Sequence, residues 1–470
     1  MSEANSDKEV TQLFEIQKEN AEAVKRTSAK ERKLKLKRLY NAILAHREPL
    51  HDALWKDLRK PGTETDITEI HPTLVEFRFA MRNLKNWMKI KSVKTPILLL
   101  GAKSQIQYEP KGCCLIMSPW NYPFQLSFAP LISAISAGNT VILKPSEFAE
   151  NTSRIIKEII EGCFGPEEVA VVEGGVDVAT QLLRQKFDHI FFTGSPEVGR
   201  IVMAEAAKNL TGVTLELGGK SPAIVDETAV IEKSAGRIAW AKFINAGQTC
   251  IAPDYVLVHE TRRSEFLLGL RKAIEDSYGE EQNKSTDYVR IINEKHFRRI
   301  KSYVDSCIMQ GGNIVYGGKF DEETRYIQPT IICDLPIDGN LMKNEIFGPV
   351  LPVLFYNSNE EAVNIIRCFP KPLALYIYSK DKRNTDYFLR NTTSGGVCIN
   401  TSAIHAGNPY LPFGGVNESG IGKSRGFYGF KEFSNERGIM KQRRQSVIEW
   451  IRPPYTKEKQ KMLDWLIERL

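Results

Sequence analysis

The sequence has no CxxC pair and no grouping of His and Cys at metal-ligand spacing, although it holds eight cysteines. That excludes a structural zinc site, and no metal is expected. No apolar run approaches the roughly 18 residues needed to cross a bilayer. The opening MSEANSDKEV is polar and lacks the apolar stretch of a secretory signal. Unpaired thiols without such a signal predict a reducing, cytoplasmic setting. Neither GxGxxG nor a GxxxxGKS/T phosphate loop occurs. No repeat or low-complexity tract is present. A charge of one sign is also lacking: 64 basic residues face 57 acidic ones, a net +7 that is mild for 470 residues. No nucleic-acid partner is expected from it. The one basic cluster, Lys25 to Arg38, lies over Leu36, Leu39 and Ile43 at helical spacing, and reads as a solvated helix face.

What is present begins with helices. Glycine is absent before Gly62, and residues 8–59 alternate charged and apolar residues at three- and four-residue spacing. A second helical stretch runs from about Ile67 to Lys91. From Gly112 to Gly218 short apolar strands alternate with helical patterns. The strands are Cys114–Met117, Val141–Lys144, Val169–Glu173, His189–Phe192 and Val213–Leu217. This predicts an α/β fold with a doubly wound parallel sheet, whose ligand binds at the carboxyl ends of the strands. A second alternating region, about Gly219 to Asn400, predicts another α/β domain. A chain of 470 residues is long enough for two or three domains.

Cys250, in Asn245-Ala246-Gly247-Gln248-Thr249-Cys250, follows a predicted helix over Ile231–Ile244. Glu216, in Leu215-Glu216-Leu217-Gly218-Gly219-Lys220, interrupts an apolar strand. A thiol and a carboxylate, both in glycine-marked surroundings, suggest covalent catalysis with a base in reserve. Thr193-Gly194-Ser195-Pro196-Glu197-Val198-Gly199 is a strand, a turn and a helix start; it is either an anion site or a simple tight turn. Val141 to Glu147 ends another strand with Lys144, Pro145 and Glu147, which suit ribose hydroxyls, and with Ser146, which suits a helix cap. Ser118-Pro119-Trp120-Asn121-Tyr122-Pro123 is a rigid turn whose Asn121 amide suits an oxyanion.

Together and in this order these segments resemble the aldehyde dehydrogenase superfamily, class 3 branch. Glu345-Ile346-Phe347-Gly348-Pro349 and Leu411-Pro412-Phe413-Gly414-Gly415 complete the likeness, which spans roughly residues 10–455, and the short N-terminus fits the same branch. The resemblance implies that Cys250 attacks an aldehyde to give a thiohemiacetal, with Asn121 and the Cys250 N–H on its oxyanion. Hydride then passes to the nicotinamide, and Glu216 activates water against the thioester. It places Trp120, Lys144, Pro145, Glu147, Gly194, Ser195, Val198, Leu217, Glu345 and Phe347 around NAD. Glu147 favours NAD, and the adjacent Lys144 allows NADP.

The resemblance further implies an NAD(P)-binding domain over 1–92 and 111–215, and a catalytic domain over 216–412. It assigns 93–110 and 413–450 to oligomerisation and bridging, with a small β arm through which a homodimer forms, and 451–470 to an amphipathic tail. The tail, with Met462, Trp465, Leu466 and Leu470, either touches lipid or packs on the body. His405 is read as a surface-loop histidine or as part of the substrate entrance. The aldehyde implied is a medium- or long-chain aliphatic or an aromatic one. Two rivals stand beside this reading: an acylating enzyme that passes the thioester to coenzyme A, and a non-catalytic scaffold.

Overall fold

A computed structural model of the protein describes residues 3–96, 99, 101–442 and 452–468. Its centre is two sheets. The first has six strands in the order Gly420–Ile421, Gly212–Glu216, His189–Thr193, Cys113–Met117, Thr140–Lys144 and Val169–Val171. The last five are parallel, and Gly420–Ile421 runs antiparallel to Gly212–Glu216. The chain starts at the central strand Cys113–Met117, builds outward on one side, then crosses to the other. This reversal creates a topological switch point beside the carboxyl end of Cys113–Met117. The three central strands, Cys113–Met117, Thr140–Lys144 and His189–Thr193, are buried along their whole length. Parallel strands covered on both faces read as continuous apolar runs, which is why the sequence shows them clearly.

The second sheet has seven strands, ordered Asn313–Tyr316, Thr330–Cys333, Val350–Tyr356, Tyr255–His259, Pro222–Val225, Ala374–Tyr378 and Gly396–Ile399. All are parallel except the antiparallel edge strand Asn313–Tyr316. The expected doubly wound α/β class is therefore present twice. Thr330–Cys333 and the helix Lys382–Asn391 were not anticipated from the sequence. Segment 413–450 supplies Gly420–Ile421 to the edge of the first sheet as well as Ser434–Gln442 to the three-stranded one.

Helices Glu3–Lys25, Ala29–Ala45 and Arg47–Leu58 begin the chain. In the basic cluster Leu36, Leu39 and Ile43 are fully buried, as a helix face requires. Arg32 is buried too: it donates to the carbonyls of Ser136 (3.0 Å) and Ala137, at the end of helix Gln125–Ala137. A cation there complements the helix dipole.

A three-stranded antiparallel sheet joins Lys91–Val93, Ala102–Pro110 and Ser434–Gln442. It contains the two strand pieces expected to form the arm. Ile97, Leu98 and Leu100 lie outside the described residues, as does Leu470. The tail helix Lys457–Ile467 buries none of its side chains, and Trp465 is half exposed. Among the described residues no helix is long and apolar enough to cross a membrane.

Candidate active site

The segment that carries Cys250 follows a helix, as expected, and leaves it through a kink. Helix Ile231–Phe243 stops, and Asn245 (φ 53°), Ala246 (φ 49°) and Gly247 (φ 72°) follow in the left-handed region. Each non-glycine residue there costs about 1–2 kcal/mol, so the surroundings must hold the kink. Glycine is required at 247, because a Cβ would stand 2.3 Å from the Gly348 carbonyl. Buried polar groups fix the rest. The Asn245 N–H donates to Glu64 Oε1 at 2.9 Å. The Asn245 side chain donates to the carbonyls of Asn121 (2.9 Å) and Gln248 (3.0 Å). The Gln248 amide donates to Asn245 and Arg290 carbonyls and accepts from the Ile292 N–H, each at 3.0 Å.

Asn121 is delivered by the first sheet, just past the strand Cys113–Met117. Its side-chain amide donates to the Gln248 carbonyl at 3.0 Å, two residues before Cys250. The turn rests on a buried ion pair: Lys60 donates to Glu69 Oε1 at 2.6 Å, and to the Asn121 carbonyl at 3.3 Å. Glu69 Oε2 accepts the backbone N–H groups of Phe124 (2.9 Å) and Gln125 (3.2 Å) at the start of the next helix. Tyr122 completes the join, its hydroxyl 2.6 Å from the Thr249 hydroxyl.

Cys250 and Glu216 line one small enclosed cavity of about 30 Å³, whose other walls include Leu126, Phe413, Ser424 and Arg425. That is room for one or two waters. Ser424 donates to Glu216 Oε1 at 2.8 Å, while the buried Oε2 carries no hydrogen bond. Burial pushes the Glu216 carboxyl up to about 8, against the Ser424 bond and the Arg425 charge. Burial, with Glu345 and Glu216 nearby, pushes the Cys250 thiol up to about 12; Arg425 pulls the other way. A carboxyl near 8 in a water-sized cavity beside a thiol is suited to taking a proton from water.

Three turns leave the carboxyl ends of adjacent strands at the switch point. Cys113–Met117 leads to Trp120 and Asn121. Thr140–Lys144 leads to Pro145 and Glu147, where Lys144 Nζ lies 3.1 Å from Glu147 Oε2. His189–Thr193 leads to Gly194 and Ser195. Ser195 caps helix Pro196–Lys208, accepting the Val198 N–H at 3.3 Å, and Val198 is exposed on its first turn. A Cβ on Gly199 would stand 2.8 Å from Leu217, so this helix packs close against the strand end. An open helix start, a lysine–carboxylate pair and a switch-point crevice fit the pyrophosphate and ribose of a dinucleotide. The expected Ser146 cap is not formed. Helix Glu150–Glu161 has no side-chain cap at its own boundary, and Ser146 bonds the Phe148 N–H in a turn. Asp57 takes the capping role, accepting the N–H groups of Asn151 (3.1 Å) and Thr152 (2.8 Å).

Glu345 comes from the second domain. Its carboxylate lies against Gly218, where a Cβ would be 2.0 Å from Oε2, and burial pushes it up to about 8. Phe347, at φ 47°, sets its ring 5.3 Å from Trp120. Lys220 and Asp254 hold this loop. Lys220 donates to Asp254 and to the carbonyls of Leu341 (2.8 Å) and Asn344 (3.1 Å). Asp254 Oδ1 accepts the Ile346 N–H at 3.1 Å.

His405 is neither catalytic in geometry nor a free surface group. Its Nδ1 is 3.2 Å from Cys398 Sγ, and its ring borders an open groove with Phe79 and Tyr410. Sequence reasoning missed Lys60, Glu64, Glu69, Ser424 and Arg425. Lys60 lies in the short link after helix Arg47–Leu58, Glu64 and Glu69 lie in the short helical turns Gly62–Thr65 and Asp66–Ile70, and the last two lie in a glycine-rich tail with no motif of its own.

Two parallel α/β sheets, a switch-point crevice and a thiol–carboxylate cavity between them define a dinucleotide-dependent dehydrogenase of the aldehyde-oxidising type. The chain belongs to the aldehyde dehydrogenase family, whose signature matches residues 2–439. Enzymes of this family oxidise aldehydes with NAD or NADP. The chain is 47% identical over 409 residues to 4,4'-diaponeurosporen-aldehyde dehydrogenase of Staphylococcus aureus, covering 87% of this chain and 88% of that one. It is 41% identical to mouse aldehyde dehydrogenase family 3 member B3, covering 94% and 92%. The substrate-bound structure of Staphylococcus aureus AldH superposes with a TM-score of 0.93 at 44% identity, covering 97% and 99%. The class 3 resemblance is thereby shown.

Proposed function

We propose that this enzyme converts a medium- or long-chain aliphatic or an aromatic aldehyde to its carboxylate through a thioester on Cys250. The observation that carries the reading is the shared cavity: Cys250 and Glu216 face one space with room for water, and Glu216 Oε2 is unpaired there. Cys250 loses its thiol proton to solvent as Sγ bonds the aldehyde carbon. The second N–H of the Asn121 amide and the Cys250 backbone N–H hold the resulting oxyanion; one such donor is worth about 3 kcal/mol. NAD(P), when bound, accepts the hydride that the substrate carbon releases. Glu216 in its ionised form then takes a proton from water as the water adds to the thioester carbonyl, and Cys250 leaves as the thiolate, which takes that proton from Glu216 while the acid product loses its own to solvent. Lys144, Glu147 and the Gly194–Val198 turn would hold the adenosine end of the cofactor, with Pro145 and Leu217 shaping the crevice. Glu345, Phe347 and Trp120 border the nicotinamide end. Glu147 beside Lys144 favours NAD while leaving NADP usable.

The apolar walls Leu126 and Phe413 suit a hydrocarbon or aromatic aldehyde rather than a sugar-like one. The hydrolytic carboxylate speaks against coenzyme A as acceptor, since that route needs no base for water. The intact Asn121, Glu216, Cys250 and Glu345 set speaks against a scaffold. The arm strands Ala102–Pro110 and Ser434–Gln442 support a homodimer, and the unpaired thiols support a cytoplasmic setting. An aldehyde panel assayed with NAD, with and without coenzyme A, tests the reading. Steady NADH formation independent of coenzyme A is expected. Absence of NADH, or an absolute requirement for coenzyme A, would overturn it.

A further inference from the structure

Arg425 stands out among the residues around the catalytic cavity. It is the one basic side chain among the described residues that line it, and it is only 8% exposed. No carboxylate lies within ion-pair distance of it among the described residues. With the Gln125 amide turned so that its oxygen faces the guanidinium, the two terminal nitrogens donate to that oxygen at 2.5 and 2.6 Å, and Nε has no hydrogen-bond partner among the described residues. The Phe413 ring lies 5.5 Å from the guanidinium. A buried guanidinium whose hydrogen bonds end on a neutral amide is costly, and an anion is what would complete its surroundings. Its backbone is also held away from the common regions, at φ 75°. Glu76 Oε1 accepts the following Gly426 N–H at 2.6 Å, and a Cβ on Gly426 would be 2.1 Å from the Pro409 carbonyl, so the loop has little freedom. A strained, fixed backbone that presents a cation outside any close ion pair to a reactive cavity is the pattern of a preorganised site.

We propose that Arg425 is a positioning residue, the counter-cation that permits Cys250 to carry negative charge inside this cavity. The groups around the thiol support that role. Glu216 and Glu345 disfavour its ionisation, and the neutral phenols of Tyr122 and Tyr376 lie nearby. Around Arg425 itself stand the acids Glu76 and Glu216, with Lys423 and Glu432 also acting on Glu216. At Cys250 the charge of Arg425 opposes those of the two carboxylates. The inference rests on Cys250 being the nucleophile.

The test is the pH dependence of Cys250 alkylation by iodoacetamide in the full-length protein, read by mass spectrometry of the Cys250 peptide. Wild type, Arg425→Met and Arg425→Lys are compared, with NAD binding as the check of folding. The Met variant is expected to be alkylated about tenfold more slowly below its midpoint, a shift of about one pH unit upward. The Lys variant, which keeps the charge, should lie close to wild type. Superimposable curves for Met and wild type would overturn the inference. If the Met variant does not fold, Arg425→Gln takes its place against Lys, and coincident Gln and Lys curves overturn it equally. Fully alkylated wild type should form no NADH. If it still oxidises aldehyde, the nucleophile assignment falls; if it does not and the curves are unmoved, only the role of Arg425 falls.

Discussion

Ser424 donates its hydroxyl to Glu216 Oε1 at 2.8 Å, across 208 residues of chain. Ser424 belongs to the segment that folds back along the first sheet, so the base is held by the last part of the chain to join that sheet. The bond stabilises the ionised carboxylate, which burial opposes. Ser424→Ala removes it and leaves both oxygens unpaired. A hydrogen bond to a charged group is worth about 1.5–3 kcal/mol. The limb of the kcat–pH profile that reports thioester hydrolysis should therefore move upward by about one unit or more. An unshifted profile would show that Ser424 does not tune this base.

The carboxyl of Glu216 also makes stability depend on pH. Its folded value, about 8, lies above its unfolded value, so the folded state holds the proton more tightly. The cost of ionising it in the fold is absent below its unfolded pKa, grows as pH rises, and is complete above about 8. Glu216→Gln carries no such cost. Its melting temperature should exceed that of wild type at pH 9 by about 2 °C or more, with the difference vanishing toward pH 5. A constant difference across that range would contradict the burial of an ionisable group there.

Lys60 and Glu69 form a buried pair with no exposed side-chain surface. Removing one partner strands the other, at a cost of about 3–5 kcal/mol. Glu69→Gln should lower stability by that order in denaturant unfolding. It should also reduce kcat/KM beyond any effect on cofactor binding, because Glu69 and Lys60 hold the turn that presents Asn121. A variant with wild-type stability and turnover would show that the turn holds without them.

Cys250→Ser should abolish aldehyde oxidation and leave NAD binding intact, measured by fluorescence titration. Turnover at the wild-type rate would remove the nucleophile assignment.

The sheets were legible because their strands are buried on both faces and so appear as short, nearly unbroken apolar runs. Thr140–Lys144 and His189–Thr193 are of this kind, and both came within a residue of their observed bounds. Cys250, Glu216 and Asn121 were legible because glycines and prolines mark the turns that carry them. The kink at Asn245 and Ala246 was not. Non-glycine residues adopt it only because Glu64 and Asn121 hold it, and those partners are 181 and 124 residues distant in sequence. The Asp57 cap was hidden for the same reason: sequence suggests a local cap, Ser146, while the observed one comes from another helix. Arg425 sits in a stretch whose only visible signal was glycine content, and its burial is decided by packing alone.

The most direct test of the account uses Glu216→Gln mixed with excess aldehyde and NAD, quenched in acid and digested. Cys250 as acyl carrier predicts NADH released in a single burst of at most one per site. It also predicts that the Cys250 peptide is heavier by the mass of the aldehyde less two hydrogens. A Cys250 peptide of unchanged mass after a full burst of NADH would contradict it, because the oxidised carbon would then have left without ever resting on that sulfur.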